Sequence, residues 1–168
     1  MLFRSRDAFG HFHFHEYRVN GKTLAQSVEA VAAGLTLLES EVFEGLRQSQ
    51  SSFYQVKAAV PDEHQIRLQD LLTPQPSEVL LTDVSLSQFL LDNGLPFALF
   101  CRAATVRGLT MTNGASLTFY VEDVPGLLQA YRQKTKKVPP EDMSEHRFIF
   151  FFQKHRQIGV PQAIATPS

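Results

Sequence analysis

Between residues 54 and 69 apolar side chains recur at every second position, and no other feature constrains the fold of this chain as tightly. Tyr54, Val56, Ala58 and Val60 alternate with Gln55 and Lys57, and Ile66 and Leu68 alternate with Arg67 and Gln69 across a Pro61-Asp62-Glu63 turn. A period of two sends successive side chains to opposite faces, so both segments read as strands of one hairpin with a single face toward a core. Thr73-Pro74-Gln75-Pro76 cannot lie inside a central ladder and marks the next turn, which makes Glu78-Val79-Leu80-Leu81 a third strand. Strand character resumes over 97–103, apolar on both faces and therefore central, and continues through 106–111 and 117–121, with Thr112-Asn113-Gly114 joining the last two.

Helical signals flank this region. Asn20-Gly21 is a turn dipeptide, Thr23-Leu24-Ala25-Gln26 reads as a capping box, and Gly34 ends the helix it opens. Thr36-Leu37-Leu38-Glu39 is a second box, followed by Leu38, Val42, Phe43 and Leu46 as an apolar stripe. Ser85-Leu86-Ser87-Gln88 is a third, opening a short helix that stops at Asn93-Gly94. Asp123 and Pro125 start another helix, with Leu127, Leu128 and Tyr131 as its buried stripe and Lys134, Lys136 and Lys137 at its end. The last element, 143–157, reads as helix despite the aromatic run Phe148-Ile149-Phe150-Phe151-Phe152. The pattern predicts one α+β domain over 1–158: a helical part (1–50), a β-rich core (53–121) and C-terminal helices (123–157). About six antiparallel strands form a curled sheet or small β-barrel flanked by helices, and 159–168 is a flexible tail.

The chain has 168 residues, enough to bury roughly 70% of its unfolded surface without disulfide or metal staples. Fourteen Phe and no Trp make phenylalanine the expected core builder. A formal charge of −1 disfavours nucleic acid as a partner. Cys101, alone of its kind, sits in an apolar run and reads as an inert buried hydrophobe. No segment approaches the ~20 apolar residues of a membrane span, so the default expectation is a soluble cytoplasmic protein.

Tyr54-Gln55-Val56, Arg67-Leu68-Gln69-Asp70-Leu71-Leu72-Thr73, Asp83-Val84-Ser85-Leu86-Ser87 and the apolar strand ending at Arg102 together resemble a module of uncharacterised bacterial proteins, some of which carry a SEC-C zinc-binding motif. The resemblance covers about half the chain, with Tyr17-Arg18 and Gly21-Lys22-Thr23-Leu24 as weaker echoes. Pro74 stands where the pattern usually has Gly, and the cysteine cluster of the zinc motif is absent. Such modules have no established activity, and the resemblance implies a helical, aromatic-rich segment over 11–18.

That implication bears on the most chemical-looking stretch, His11-Phe12-His13-Phe14-His15. On a strand all three imidazoles share a face, and neighbouring ones, about 6.6–6.8 Å apart, can share one ion. On a helix His11 and His15 pair, while His13 points away. Either way the trio offers two ligands, and zinc or another divalent transition metal is the cofactor such a site would take, with a third ligand needed from elsewhere. No nucleophile elbow, phosphate loop or paired-carboxylate pattern accompanies it. The basic run Arg132-Gln133-Lys134-Thr135-Lys136-Lys137 reads as a solvated helix end, with phosphate contact as its alternative. The aromatic run reads first as core, with a contact surface at Phe148, Phe151 and Phe152, for a partner or a second copy, as the runner-up. The sequence thus points to a non-enzymatic binding or assembly module with a protein partner or a homodimer contact. The alternatives are a metal-binding protein or metal-dependent enzyme using His11, His13 and His15, and, less favoured, an oligonucleotide-binding barrel.

Overall fold

The computed structural model describes residues 10–28, 34–75, 77–94, 97–113 and 116–160. Several expectations fall outside those residues: the stretch 29–33 of the first boxed helix, Pro76, Gly114 and the tail from 161 onward.

Residues 10–15 are helical (α1). Arg18–Val19 (β1) and Lys22–Thr23 (β2) form a small hairpin around Asn20 and Gly21, both at positive φ, as a two-residue turn of the type favoured in hairpins requires. Thr23 closes a complete capping box with Gln26 on the single turn α2 (Leu24–Ser27), and Thr36 does the same with Glu39 on α3 (Leu37–Gln48). The chain then enters β3 (Gln50–Val60), β4 (Gln65–Asp70) and β5 (Glu78–Thr82), an antiparallel meander with a register shift between Val56 and Ala58. Helix α4 (Val84–Asn93) follows. Its cap is Asp83, whose carboxylate accepts from the Leu86 N–H at 2.9 Å, so the helix starts one residue before the Ser85 box, at a side chain with the charge to cap it.

Strands β6 (Phe97–Val106), β7 (Leu109–Thr112) and β8 (Leu117–Tyr120) complete the sheet. Pairing runs β3-β4-β5-β7-β6, and β6 pairs back onto β3, closing a five-stranded barrel; β8 adds a sixth strand on the far edge of β6. The sheet is not wholly antiparallel, because β5 and β7 run parallel where the ring closes. The fold is a small α+β barrel. Helices α5 (Val124–Thr135) and α6 (Met143–Ile158) end the described chain. Asp123 sits at the α5 N-terminus without a side-chain cap, because a short 3-10 turn over Val121–Asp123 already leads in.

Strand alternation divides the apolar residues into two clusters. Tyr54, Val56, Ile66, Leu68, Leu81, Leu99 and Cys101 fill the barrel interior, closed by Leu86 and Leu90 of α4. Phe53, Ala98, Phe100, Leu117 and Phe119 point outward and are covered by α5 and α6. Strand β6 is buried on both faces over its first half because it lies between these clusters, as its apolar run over 97–101 requires. Phe151 is fully buried and stacks on Phe100 at 4.7 Å, with Phe53 at 4.6 Å. Phe148 is buried beside it and Phe152 is half-buried, stacked on Phe148, so most of the aromatic run lies inside the fold. The chain after α6 is tied down at its start: the Val160 N–H donates to Thr118 O at 2.8 Å, and its side chain is buried.

Candidate functional site

The histidine segment is helical. His11 and His15 lie one turn apart with ring centroids 5.0 Å from each other, while His13 packs its ring on Tyr17 at 5.2 Å. Phe12 and His11 both meet Phe148 of α6, which docks α1 against the outer cluster. The helix geometry thus selects the outer pair of imidazoles.

Below that pair lies a buried ion pair with several hydrogen bonds. The Glu16 and Arg102 side chains are 0% and 4% exposed and form an ion pair from Arg102 Nη2 to Glu16 Oε1. Ser51 of β3 donates to Glu16 Oε1 at 2.7 Å, and Ser144, in the first turn of α6, donates to Glu16 Oε2. Arg102 Nη1 donates to the Ser49 carbonyl and to Ser49 Oγ at 3.1 Å. Arg147 Nη1 donates to the Ser51 carbonyl at 2.5 Å. The carboxylate therefore joins α1, β3, β6 and α6 at one point. Burial alone would raise its pKa; the Arg102 charge and the hydrogen bonds from Ser144, Arg102 and Ser51 outweigh burial and hold it below the ordinary carboxylate value.

Burial first, then the Arg102 charge, lowers His11 to about 4, with Glu16 pulling the other way. Burial, Arg102 and His11 itself lower His15 to about 3 against the same pull from Glu16. Both rings are neutral at pH 7. His15 Nε2 meets Asn113 Nδ2 at 3.0 Å, whereas neither His11 ring nitrogen has a partner among the described residues.

This arrangement is a structural clamp joining α1, β3, β6 and α6. Among the described residues no group of three His, Cys, Asp or Glu side chains gathers, Glu16 is already occupied, and the guanidinium that disfavours protonation of the imidazoles also disfavours a metal ion beside them. Cys101 is buried in the barrel, where burial pushes its thiol up to about 12, far from a nucleophile's range. Glu16, Ser51 and Ser144 escaped sequence reasoning because each looks like an ordinary surface residue in its own segment. Arg102 carried a signal, being a charge embedded in an otherwise apolar strand.

A second feature lies on α3. The helix is amphipathic, yet none of its residues is buried. Leu37, Leu38 and Val42 are exposed, the last two at 53% and 39%. The helix is held over the β6–β7 hairpin by Arg107 Nε bonding Glu41 Oε2 at 2.6 Å and by the contact of Gly45 with Thr105 and Val106. Leu109 and Met111, on the strand leaving that hairpin, are exposed as well.

The fold and this buried clamp define a small α+β barrel protein braced by terminal helices. The chain belongs to a family of unknown function, DUF7986, whose family model matches residues 4–165. No curated protein matches the chain. No solved structure matches it either. No described helix is long and apolar enough to cross a membrane.

Proposed function

We propose that the protein is a non-enzymatic assembly module that works through protein–protein contact, with the uncovered apolar face of α3 and the adjoining β7 residues as its contact surface. The observation that carries this reading is a 12-residue amphipathic helix with no fully buried residue, on which Leu37, Leu38 and Val42 are exposed while Phe43 and Leu46 are partly covered. A helix with an apolar stripe ordinarily spends it on a core, and a contiguous apolar surface left in water marks an interaction site. The occupant we favour is a second copy of the chain. An apolar stripe is self-complementary about a two-fold axis, two-fold dimers are the commonest oligomers, and a net charge of −1 offers little self-repulsion.

Two other readings have less behind them. The closed five-stranded barrel with a helix between its third and fourth strands resembles oligonucleotide-binding barrels in architecture. Its uncovered β4–β5 face, however, carries Gln65, Arg67, Gln69, Glu78, Leu80 and Thr82, with no aromatic platform and no excess of positive charge. The metal reading retains His11 and His15, without a third ligand among the described residues.

Light scattering coupled to size exclusion, run from low to high micromolar concentration, tests the assembly reading. The wild type is expected to reach dimer mass and the Leu38→Glu/Val42→Glu double variant to stay monomeric with unchanged circular dichroism. A wild-type monomer throughout contradicts the proposal.

A further inference from the structure

One lysine of the basic run at the end of α5 lines a groove, while Arg132, Lys136 and Lys137 are exposed. Lys134 turns out of that run into a groove of about 490 Å³ between α5 and α6, and Lys154 enters the same groove from α6. Gln133, Gln153 and Gln157 complete its polar lining, with Phe150 beneath. The placement follows from helical spacing: Phe150, Gln153, Lys154 and Gln157 share one face of α6, and Gln133 and Lys134 are adjacent at the edge of α5 that faces it. Lys134 Nζ sits 6.0 Å from the Phe150 ring centroid, and Lys154 Nζ lies 3.4 Å from Gln157 Oε1. No carboxylate lines the groove, and neither lysine is in an ion pair among the described residues.

Two ammonium groups lining one groove from facing helices give it a positive charge that favours an anion. The pair of charges favours a multiply charged anion, and a phosphoryl group carries nearly two negative charges where a carboxylate carries one; rotatable ammonium donors, acting as point charges, adapt to its three oxygens. Glutamine amides supply further donors and acceptors for the rest of a ligand. We propose that this groove binds a small phosphorylated molecule, its phosphoryl oxygens held between Lys134 and Lys154.

The test is a two-dimensional amide NMR titration of the full chain with sodium pyrophosphate at constant ionic strength. Residues 130–134 and 150–157 are expected to shift saturably at millimolar concentration or below, and Lys134→Gln/Lys154→Gln to weaken binding at least tenfold while the remaining spectrum is unchanged. Malonate serves as the carboxylate arm and is expected to bind at least fivefold more weakly. Four outcomes overturn the proposal: no saturation, the same shifts with sodium chloride, equal binding by the double variant, or malonate binding as tightly as pyrophosphate. Tight, salt-dependent binding of a mixed single-stranded oligonucleotide without saturation by pyrophosphate also overturns it, in favour of a polymer site.

Discussion

Glu16 occupies a position where a single carboxylate holds four segments together, and its neighbours make its removal costly in a specific way. Truncating either partner of a buried pair leaves the other charge uncompensated, which costs about 3–5 kcal/mol. Glu16→Ala is therefore expected to lower the urea midpoint sharply, and Arg102→Met/Glu16→Leu to recover much of the loss, since apolar replacement of both partners removes the stranded charge. The imidazoles above the pair set the acid response. Because His11 and His15 have folded pKa values near 4 and 3, below the unfolded value of 6.5, the unfolded chain takes up protons first as pH falls. Stability is thus at its plateau above pH 6.5 and falls as pH drops toward 4, by up to about 3 kcal/mol for His11 alone. Glu16, with its depressed pKa, adds to the loss once pH falls below the ordinary carboxylate range. Denaturant titrations at pH 7 and pH 5 check this, with His11→Phe expected to flatten the dependence. Little of this cluster was legible in the sequence. A partner 86 positions away leaves no local trace, and the histidine alternation by itself reads as a strand, whereas residues 10–15 are helical with Phe148 as the surface on which α1 packs.

At the level of elements, the meander, α5, α6 and two capping boxes follow directly from period, turn residues and caps. The two-residue turn at Arg107 and Gly108, with φ of 50° and 79°, carries the β6–β7 hairpin on a dipeptide whose first residue gives no turn signal. The third capping box failed for a local reason: Asp83 offers a charged acceptor just ahead of the Ser85 hydroxyl. Gly45 is the contact point of α3, since a Cβ there would lie 2.8 Å from both the Thr105 carbonyl oxygen and Val106 Cγ2. A backbone carbonyl cannot rotate away as a side chain can, so Gly45→Ala must lift α3 from the hairpin. The expected cost is about 1–3 kcal/mol by thermal or urea unfolding, with the Arg107–Glu41 ion pair lost. An unchanged midpoint would show that α3 rests on the hairpin too loosely to orient a contact surface.

For the whole molecule, one barrel shares strand β6 with a second, phenylalanine-rich cluster beneath the C-terminal helices. The fold class was legible because alternation and apolar run length separate half-buried strands from central ones. Barrel closure was not, because the parallel β5–β7 pairing is made by two short strands separated by a helix and the length of β6. The aromatic run of α6 is likewise spent mainly on the core, and α3 carries three exposed apolar residues close together, Leu37, Leu38 and Val42. Assembly through α3 is thus the central claim, and site-directed cross-linking tests it most directly. Cys101 is buried with its thiol raised to about 12, so it does not compete for oxidation. Leu38→Cys and Val42→Cys, each introduced singly, are expected to give a covalent dimer under mild oxidation. Leu91→Cys, equally exposed on α4, should stay monomeric. Dimer yields at Leu38 and Val42 no higher than at Leu91 would contradict the claim.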